Sequence, residues 1–173
     1  MTLKSIIPIL AIALFSTLVC DAQNEDLYSL VKTGEKVPEF IVKTIDGKAV
    51  DVDKLRGKVV LINFFATWCT PCMDEMLNIE KLRGRFPDSD FVILSIGREH
   101  KLAELQLFNQ SKEFTFNIAA DPERKIYELF AEKMIPRNYV IDKKGTICYQ
   151  YTGFNHAQFA SMVSVIESKI AAK

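Results

Sequence analysis

The residues best suited to chemistry are two cysteines separated by two residues, in the stretch Trp68-Cys69-Thr70-Pro71-Cys72. An apolar run, Val59 to Ala66, comes before this pair, and a segment with helical spacing follows it. The layout predicts a dithiol on the turn between a buried strand and a helix N-terminus. Unpaired backbone N–H groups and the helix dipole favour a thiolate there. A thiolate is the species that attacks disulfides, so spacing and context together predict redox chemistry.

The same spacing could also form half of a zinc site. The strand before the pair and the proline inside it favour the redox interpretation. Once a signal segment is removed, the chain keeps only one further cysteine, Cys148, which is too few for a disulfide scaffold. Cys148 lies in an alternating strand pattern, Thr146 to Tyr151, and we interpret it as a small buried apolar side chain rather than a resolving thiol.

The composition is that of an ordinary globular chain with room for one sizeable core. Its 173 residues are 49% hydrophobic and 25% charged, and the formal net charge is zero. Binding to nucleic acid or to an anionic membrane surface would need a basic surface. The charge balance therefore gives no support to either class of partner.

The first residues are predicted to be a targeting segment. Lys4 is followed by an apolar stretch of 14 residues, Ile6 to Val19, which is short for a membrane span. Small residues at Cys20 and Ala22 have the spacing that signal peptidase prefers, so residues 1–22 are predicted to be a signal peptide. A lipidated Cys20 and an uncleaved anchor are the alternatives. Each option predicts a periplasmic or extracytoplasmic protein, where disulfides can form and persist.

The mature chain is predicted to have a short N-terminal tail, residues 23–36, and one domain, residues 37–173. Helical and strand periodicities define its elements. The predicted elements are, in chain order, a hairpin around Asp46-Gly47, a strand over 59–65, a helix over 71–86, a strand over 91–96, a helix from 102 that ends before 114, a short strand over 116–119, a helix over 121–130, a hairpin over 139–151 and a helix from 155. This order predicts an α/β fold with a mixed central sheet, helices on both faces and an added N-terminal β-hairpin.

The stretch Gly57 to Cys72 resembles the thioredoxin superfamily and is most similar to the extracytoplasmic TlpA/ResA branch of thiol–disulfide oxidoreductases. Three further segments also match the pattern of this family: the stretch Val37 to Phe40 at the start of the domain, the Asp46-Gly47 hairpin and the Ile135-Pro136 dipeptide. The resemblance covers about residues 34–170. It implies a thioredoxin-like fold and a CxxC pair that cycles between dithiol and disulfide.

Catalytic roles follow from this resemblance. Cys69 is expected to be the nucleophile and Cys72 the resolving thiol. Glu75 lies three residues after Cys72, on the same helix face, and matches a glutamate associated with tuning the cysteines in the TlpA/ResA group. A solvated first-turn glutamate is the alternative. Thioredoxin carries a buried aspartate where this chain has Asn63, so that proton-carrying role is either lost or moved to Glu75.

A substrate groove is expected around the dithiol. Trp68 is predicted to pack beside the pair and shield it, with a generic core aromatic as the alternative, and Thr70 and Pro71 tune the redox potential. The resemblance implies that Pro136 follows a cis peptide bond and faces the CxxC pair. The backbone of Ile135 would then pair with a partner peptide by strand-like hydrogen bonds.

Together these features predict an exported oxidoreductase that exchanges thiols and disulfides with partner proteins. The resemblance favours a role as a reductant, with cytochrome c maturation as one implied process. No Gly-rich nucleotide fingerprint is present, so no cofactor is expected beyond the Cys69–Cys72 pair, and electrons would come from a membrane donor. His100 lies in a charged run and His156 in a predicted first turn, and neither is assigned a catalytic role.

Two other functions compete with this hypothesis. A copper- or other soft-metal-binding module could use Cys69 and Cys72, but the related chaperones space their cysteines further apart and add a histidine. A peroxiredoxin-like peroxidase needs threonine or serine three residues before its reactive cysteine, and Ala66 occupies that offset from Cys69.

Overall fold

The computed structural model describes residues 28–172. The predicted signal peptide, its cleavage after Ala22 and the alternative lipidation of Cys20 lie outside the described residues and stay predictions. Within the described part of the chain, no helix is both long enough and apolar enough to cross a membrane.

A five-stranded sheet and a separate two-stranded hairpin form the framework. The described strands are β1 (Ile41–Lys43), β2 (Ala49–Asp51), β3 (Val59–Phe65), β4 (Phe91–Arg98), β5 (Asn117–Asp121), β6 (Arg137–Ile141) and β7 (Ile147–Thr152). The described α-helices are α1 (Thr70–Arg83), α2 (Leu102–Lys112) and α3 (His156–Ala171). The large sheet has the order β5-β4-β3-β6-β7, with β3, β4 and β5 parallel and β6 and β7 antiparallel to their neighbours. The predicted mixed sheet and N-terminal hairpin are confirmed.

The central strand β3 is buried along its whole length, as its continuous apolar sequence predicts. Successive side chains alternate between the two faces of the sheet. Leu61 and Phe65 pack in one core cluster with α1, α2 and α3, whereas Val60 and Phe64 pack in a second cluster. That second face is covered by the hairpin, the N-terminal segment and short 3₁₀ helices. Both faces therefore carry helical segments, but the described α-helices share one face.

Helix α1 begins directly at the dithiol because local capping signals are present there. Cys69 is the N-cap, and Pro71 occupies the first turn, where its missing N–H costs no hydrogen bond. The buried side is apolar apart from one carboxyl group and comprises Cys72, Glu75, Met76, Ile79 and Leu82. The helix ends at Arg83 rather than at the predicted Phe86, with Gly84 as its C-cap.

The other locally encoded elements also form. Asn155 caps α3, its Oδ1 accepting the backbone N–H of Gln158 at 2.8 Å. The two hairpins turn at Gly47 and Gly145, whose φ angles of 86° and 73° favour glycine. Periodicity and turn residues are therefore sufficient to predict these segments.

The prediction of a helix over residues 121–130 is wrong. Asp121 is the last residue of β5, and its Oδ2 accepts the backbone N–H of Tyr127 at 2.8 Å, six residues further on. A side chain used in this way does not cap the first turn of a helix. Arg124 adopts a left-handed φ of 60°, which interrupts helical geometry. Only a 3₁₀ turn, Tyr127–Leu129, forms in this stretch.

The described part of the predicted N-terminal tail lies against the domain. The backbone N–H of Leu30 donates to the carbonyl of Phe130 at 2.8 Å, and that of Gly34 donates to Ile147 at 2.8 Å. Val31 between them is buried in the second core cluster. Residues 28–36 therefore help to cover the sheet face that lacks α-helices.

Candidate active site

The candidate site lies at the carboxyl end of β3, where three chain segments meet. Strand β3 ends at Phe65, and the loop from Ala66 leads directly to the dithiol at the start of α1. Strand β6 runs antiparallel to β3, with Arg137 opposite Phe64. The first residue of β6 therefore lies at the sheet edge where β3 ends, and the segment before β6 is brought next to the dithiol.

Cys69 and Cys72 are joined by a disulfide, with an S–S distance of 2.06 Å. The Sγ of Cys69 also accepts the backbone N–H of Cys72 at 3.3 Å. Cys69 retains 6% exposure, whereas Cys72 is fully buried. A reacting partner would therefore meet Cys69 first, and a helix N-terminus is placed to stabilise negative charge on its sulfur.

The residues around the dithiol form an open surface. Trp68 is 65% exposed, so its interpretation as a core aromatic is wrong, and most of its ring faces solvent. Thr70 and Pro71 are exposed as well. These three predicted groove residues are therefore available to a partner protein.

The loop before β6 contributes the remaining predicted groove residues. The Ile135–Pro136 peptide bond is cis, as predicted. The hydroxyl of Tyr127 donates to the carbonyl of Met134 at 2.6 Å, and the Nε of Arg137 donates to the same oxygen at 3.1 Å. Two side-chain donors thus hold the loop from inside the fold, while Ile135 stays half-buried.

Glu75 lies at the centre of a buried polar network beneath the dithiol helix. Its side chain is fully buried, so the alternative of a solvated glutamate is wrong. Asn63 Nδ2 donates to Oε2 of Glu75 at 2.9 Å, and Asn138 Nδ2 donates to Oε1 at 2.8 Å. The hydroxyl of Tyr151 donates to Oε1 in a short hydrogen bond. The carboxyl group is therefore held by three strands of the sheet.

Burial controls the proton affinity of Glu75. Removal from water disfavours the charged carboxylate and raises its pKa from 4.5 to about 7, although the hydrogen bonds from Tyr151, Asn138 and Asn63 act in the opposite direction. A carboxyl group with a pKa near neutrality can both take up and release a proton under ordinary conditions. Its position one helical turn from Cys72 suits proton exchange with the dithiol.

Asn138 and Tyr151 are site residues that the sequence analysis did not identify. Each residue carries a sequence signal: Asn138 directly precedes the apolar residues Tyr139 to Ile141, and Tyr151 lies in the alternating stretch Thr146 to Tyr151. Neither signal states which face of the sheet the side chain meets. Their role depends on strand pairing, in which Asn138 is opposite Asn63 on β3 and opposite Tyr151 on β7.

His100 is also connected to the site, although its position in a charged run gave no reason to assign it a role. The side chain is only 8% exposed. Its Nε2 accepts the backbone N–H of Thr67 at 3.0 Å, and Nδ1 lies 3.6 Å from the carboxylate of Glu104. His100 therefore ties the start of α2 to the loop that carries the dithiol. His156 is exposed.

Cys148 is half-buried on β7, and its thiol donates to the carbonyl of Val140 at 3.3 Å. Burial raises the pKa of this thiol to about 11, so it stays protonated near neutrality. Among residues 28–172, no group of three or more His, Cys, Asp or Glu side chains has the arrangement of a metal site.

A thioredoxin-like sheet with a disulfide at a helix N-terminus defines a thiol–disulfide oxidoreductase of the thioredoxin superfamily. A model of the AhpC/TSA family matches residues 33–150, and the chain belongs to that family.

Named relatives agree with this class. The chain is 32% identical over 119 residues to the thioredoxin-like protein YneN of Bacillus subtilis (strain 168), with 68% of this chain and 69% of that protein covered. It is 28% identical over 123 residues to the thiol-disulfide oxidoreductase ResA of Bacillus anthracis, with 71% of each covered. A solution structure from Bacteroides thetaiotaomicron, provisionally described as a protein disulfide isomerase, superposes with a TM-score of 0.79 and 34% identity, covering 84% of this chain and 94% of that chain.

Proposed function

We propose that this protein is an exported oxidoreductase whose Cys69–Cys72 pair exchanges with the thiols and disulfides of partner proteins, and that it acts as a reductant. The observation that carries the proposal is the disulfide at the N-terminus of α1, at the same end of the sheet as an exposed Trp68 and the cis peptide before Pro136. This arrangement supports a groove in which a partner strand could lie across the reactive sulfur of Cys69.

In the proposed reaction, the Cys69 thiolate of the reduced protein attacks a partner disulfide. One partner sulfur leaves as a thiolate, and a mixed disulfide joins the other to Cys69. Cys72 then attacks Cys69, which breaks the mixed disulfide and releases the second partner sulfur. The partner gains two electrons and two protons, and the protein is left with its internal disulfide.

Glu75 is proposed to accept the proton that Cys72 must lose before it can attack. Cys72 is buried, so bulk water has little access to its thiol. Glu75 is also buried, one helical turn away, and its pKa of about 7 allows it to accept a proton at neutral pH. Asn63 can donate hydrogen bonds to this carboxyl group but cannot carry the proton itself.

The proposed reducing direction has a physical basis in the same carboxyl group. A carboxylate beside Cys72 opposes formation of a second negative charge and so disfavours the thiolate. Thioredoxin-fold proteins that are strong oxidants are so because their reduced form is stabilised. In this site the carboxylate of Glu75 gives the Cys72 thiolate no such stabilisation. We expect a redox titration of the pair to give a potential nearer to about −270 mV than to about −120 mV. A value at the upper end would contradict the reductant role.

Export and a membrane electron donor complete the proposal. They are supported by the apolar segment at residues 6–19 and by the absence of a nucleotide-binding fingerprint from the sequence. Cytochrome c maturation is one process that such a reductant could serve. N-terminal sequencing of the exported protein tests the cleavage site, with Gln23 expected as the first residue.

The central test compares Cys69→Ser with Cys148→Ser in a disulfide-reduction assay with insulin or glutathione disulfide. We expect Cys69→Ser to lose turnover, because no nucleophile remains at the accessible position. Cys148→Ser should keep turnover, since the Cys148 thiol stays protonated and lies on β7 rather than at the start of α1. Turnover that survives Cys69→Ser would contradict the proposal. Peroxide consumption, or copper or zinc retained through purification, would favour the two alternative functions.

A further inference from the structure

The two carboxyl oxygens of Glu75 are not equivalent. Oε1 accepts two hydrogen bonds, from Asn138 Nδ2 at 2.8 Å and from the hydroxyl of Tyr151. Oε2 accepts one, from Asn63 Nδ2 at 2.9 Å. An ionised carboxylate oxygen has two lone-pair sites, so Oε1 is saturated while Oε2 keeps one site open.

A hydrogen bond between the two asparagines orients their amide groups. Asn63 Nδ2 donates to Oδ1 of Asn138 at 3.0 Å, which leaves Nδ2 of Asn138 to face Glu75. Both amides thus present donors to the carboxyl group, and an amide nitrogen cannot accept a proton in return. Tyr151 is the one partner in this network that has a hydroxyl group.

We propose that Tyr151 is a positioning residue for the exchange reaction. Its hydroxyl donates to Oε1 of Glu75 and favours the ionised carboxylate. The proton lost by Cys72 is therefore directed to Oε2. In this step the S–H bond of Cys72 breaks and an O–H bond forms at Oε2. No electrons are transferred until the resulting thiolate attacks Cys69. The inference rests on the proposed function, in which Glu75 takes up that proton.

The surroundings of Glu75 support this assignment. Strands β3 and β6 contribute neutral amides, β7 contributes Tyr151, and α1 itself contributes Cys72. Burial and the neighbouring Glu75 carboxylate raise the pKa of Tyr151 well above its usual range, so its hydroxyl stays protonated and available as a donor. Tyr149, on the same strand, lies beside Tyr151 with tilted rings and ring centroids 6.0 Å apart, but its hydroxyl donates to the carbonyl of Gln158.

Substitution of Tyr151→Phe removes only the hydroxyl, and Tyr149→Phe is the matched control. The measurement is the pH dependence of the resolving step. Cys69 of the reduced protein attacks a chromogenic aromatic disulfide, which releases one aromatic thiolate and leaves the other half in a mixed disulfide with Cys69. Attack by Cys72 then releases the second aromatic thiolate, and the rate of this second release is measured. This leaving group has a low pKa, so the profile reports on proton loss from Cys72.

We expect Tyr151→Phe to move the midpoint of this profile upward by about one pH unit, because the carboxylate loses a hydrogen bond to a charged group. Release should then be several-fold slower near neutral pH and recover in alkaline buffer. Tyr149→Phe should keep the wild-type midpoint. Site-specific replacement of Tyr151 by a fluorinated tyrosine, a stronger donor, should move the midpoint downward.

The Glu75→Gln background distinguishes positioning from a purely structural role. In that background Tyr151→Phe should cause no further shift, since no carboxylate remains to be positioned. An unchanged profile for Tyr151→Phe, a uniform loss at every pH, or an equal loss in the Glu75→Gln background would each overturn the inference. A wild-type protein that releases neither the first nor the second aromatic thiol would instead overturn the proposed function, so the two failures are distinguishable.

Discussion

At the scale of single residues, Glu75 shows how burial changes the chemistry of an ordinary side chain. Glu80, the other glutamate on α1, is only half-buried and keeps access to water. Glu75 has none, and its three hydrogen-bond donors are neutral groups whose stabilisation only partly offsets the loss of hydration. The fold therefore bears a free-energy cost for keeping a carboxyl group with a pKa near neutrality beside the dithiol.

This cost predicts a pH dependence of folding stability. The pKa of Glu75 is about 7 in the folded state against 4.5 for the free group, so the folded state binds the proton more tightly. The associated stability is fully present below pH 4.5 and is lost as the pH rises to about 7. Over that window the free energy of unfolding of the wild type should fall by about 3 kcal/mol relative to Glu75→Gln.

Chemical denaturation of the oxidised protein across this pH range checks the prediction, because Cys69 and Cys72 cannot titrate in that form. A difference in the free energy of unfolding between wild type and Glu75→Gln that is the same at every pH reports only the altered hydrogen bonds. The test therefore uses only the part of the difference that changes with pH. Parallel pH profiles for the two proteins would show that Glu75 has no raised pKa.

At the scale of elements, close contacts between the sheet and its helices limit which residues are tolerated. Gly97 lies in β4 opposite Phe65, the last residue of β3. A Cβ atom at Gly97 would lie 2.8 Å from Cδ1 of Leu105, which is fully buried on α2. Glycine at this position therefore allows α2 to pack closely on the strand that adjoins the site.

Substitution of Gly97→Ala should lower the free energy of unfolding by about 1–3 kcal/mol, because Leu105 has little room to move within a packed core. Gly84→Ala is the matched control. Gly84 has ordinary right-handed backbone angles, and an added Cβ would meet nothing within 4 Å. It should be neutral or slightly stabilising. Equal effects of the two substitutions in urea denaturation would contradict the packing argument.

At the scale of the whole molecule, the segment before the predicted domain boundary is part of the core. Residues 28–36 cover the sheet face opposite the α-helices and bond to segments more than 100 positions later, such as Lys36 to Lys144, which are 108 residues apart. The two faces of the sheet are thus closed by different means, one by α-helices and the other by extended and 3₁₀ segments. The packing of this second face of the sheet therefore depends on residues 28–36 remaining bound to it.

Neighbouring residues of this segment provide a test. Val31 is 6% exposed, whereas Leu30 is 54% exposed. Val31→Ala should lower the free energy of unfolding by about 1.5–3 kcal/mol, through lost apolar burial and the cavity left behind. Leu30→Ala should change it by less than about 0.5 kcal/mol. Thermal or urea unfolding measures both, and similar values for the pair would mean that the segment does not pack as described.

The sequence alone was sufficient for features with short-range causes. The position of Cys69 and Cys72, the start of α1 and both hairpins depend on neighbouring residues, on caps and on turn glycines, so local patterns predict them. The continuous apolar sequence of β3 likewise predicts a strand buried on both faces. The resemblance carried by the stretch Gly57 to Cys72 then supplied the fold and the class of chemistry.

Tertiary structure decided the features with long-range causes. Glu75 meets Asn138 and Tyr151 across 63 and 76 residues of chain, and only strand pairing brings these groups together. Asp121 likewise ends a strand instead of capping a helix, because pairing with β4 outweighs a local capping signal. The spacing of Cys69 and Cys72 therefore predicts that this protein has a redox pair. The buried surroundings of Glu75, which set its proton affinity through desolvation, exist only in the folded molecule.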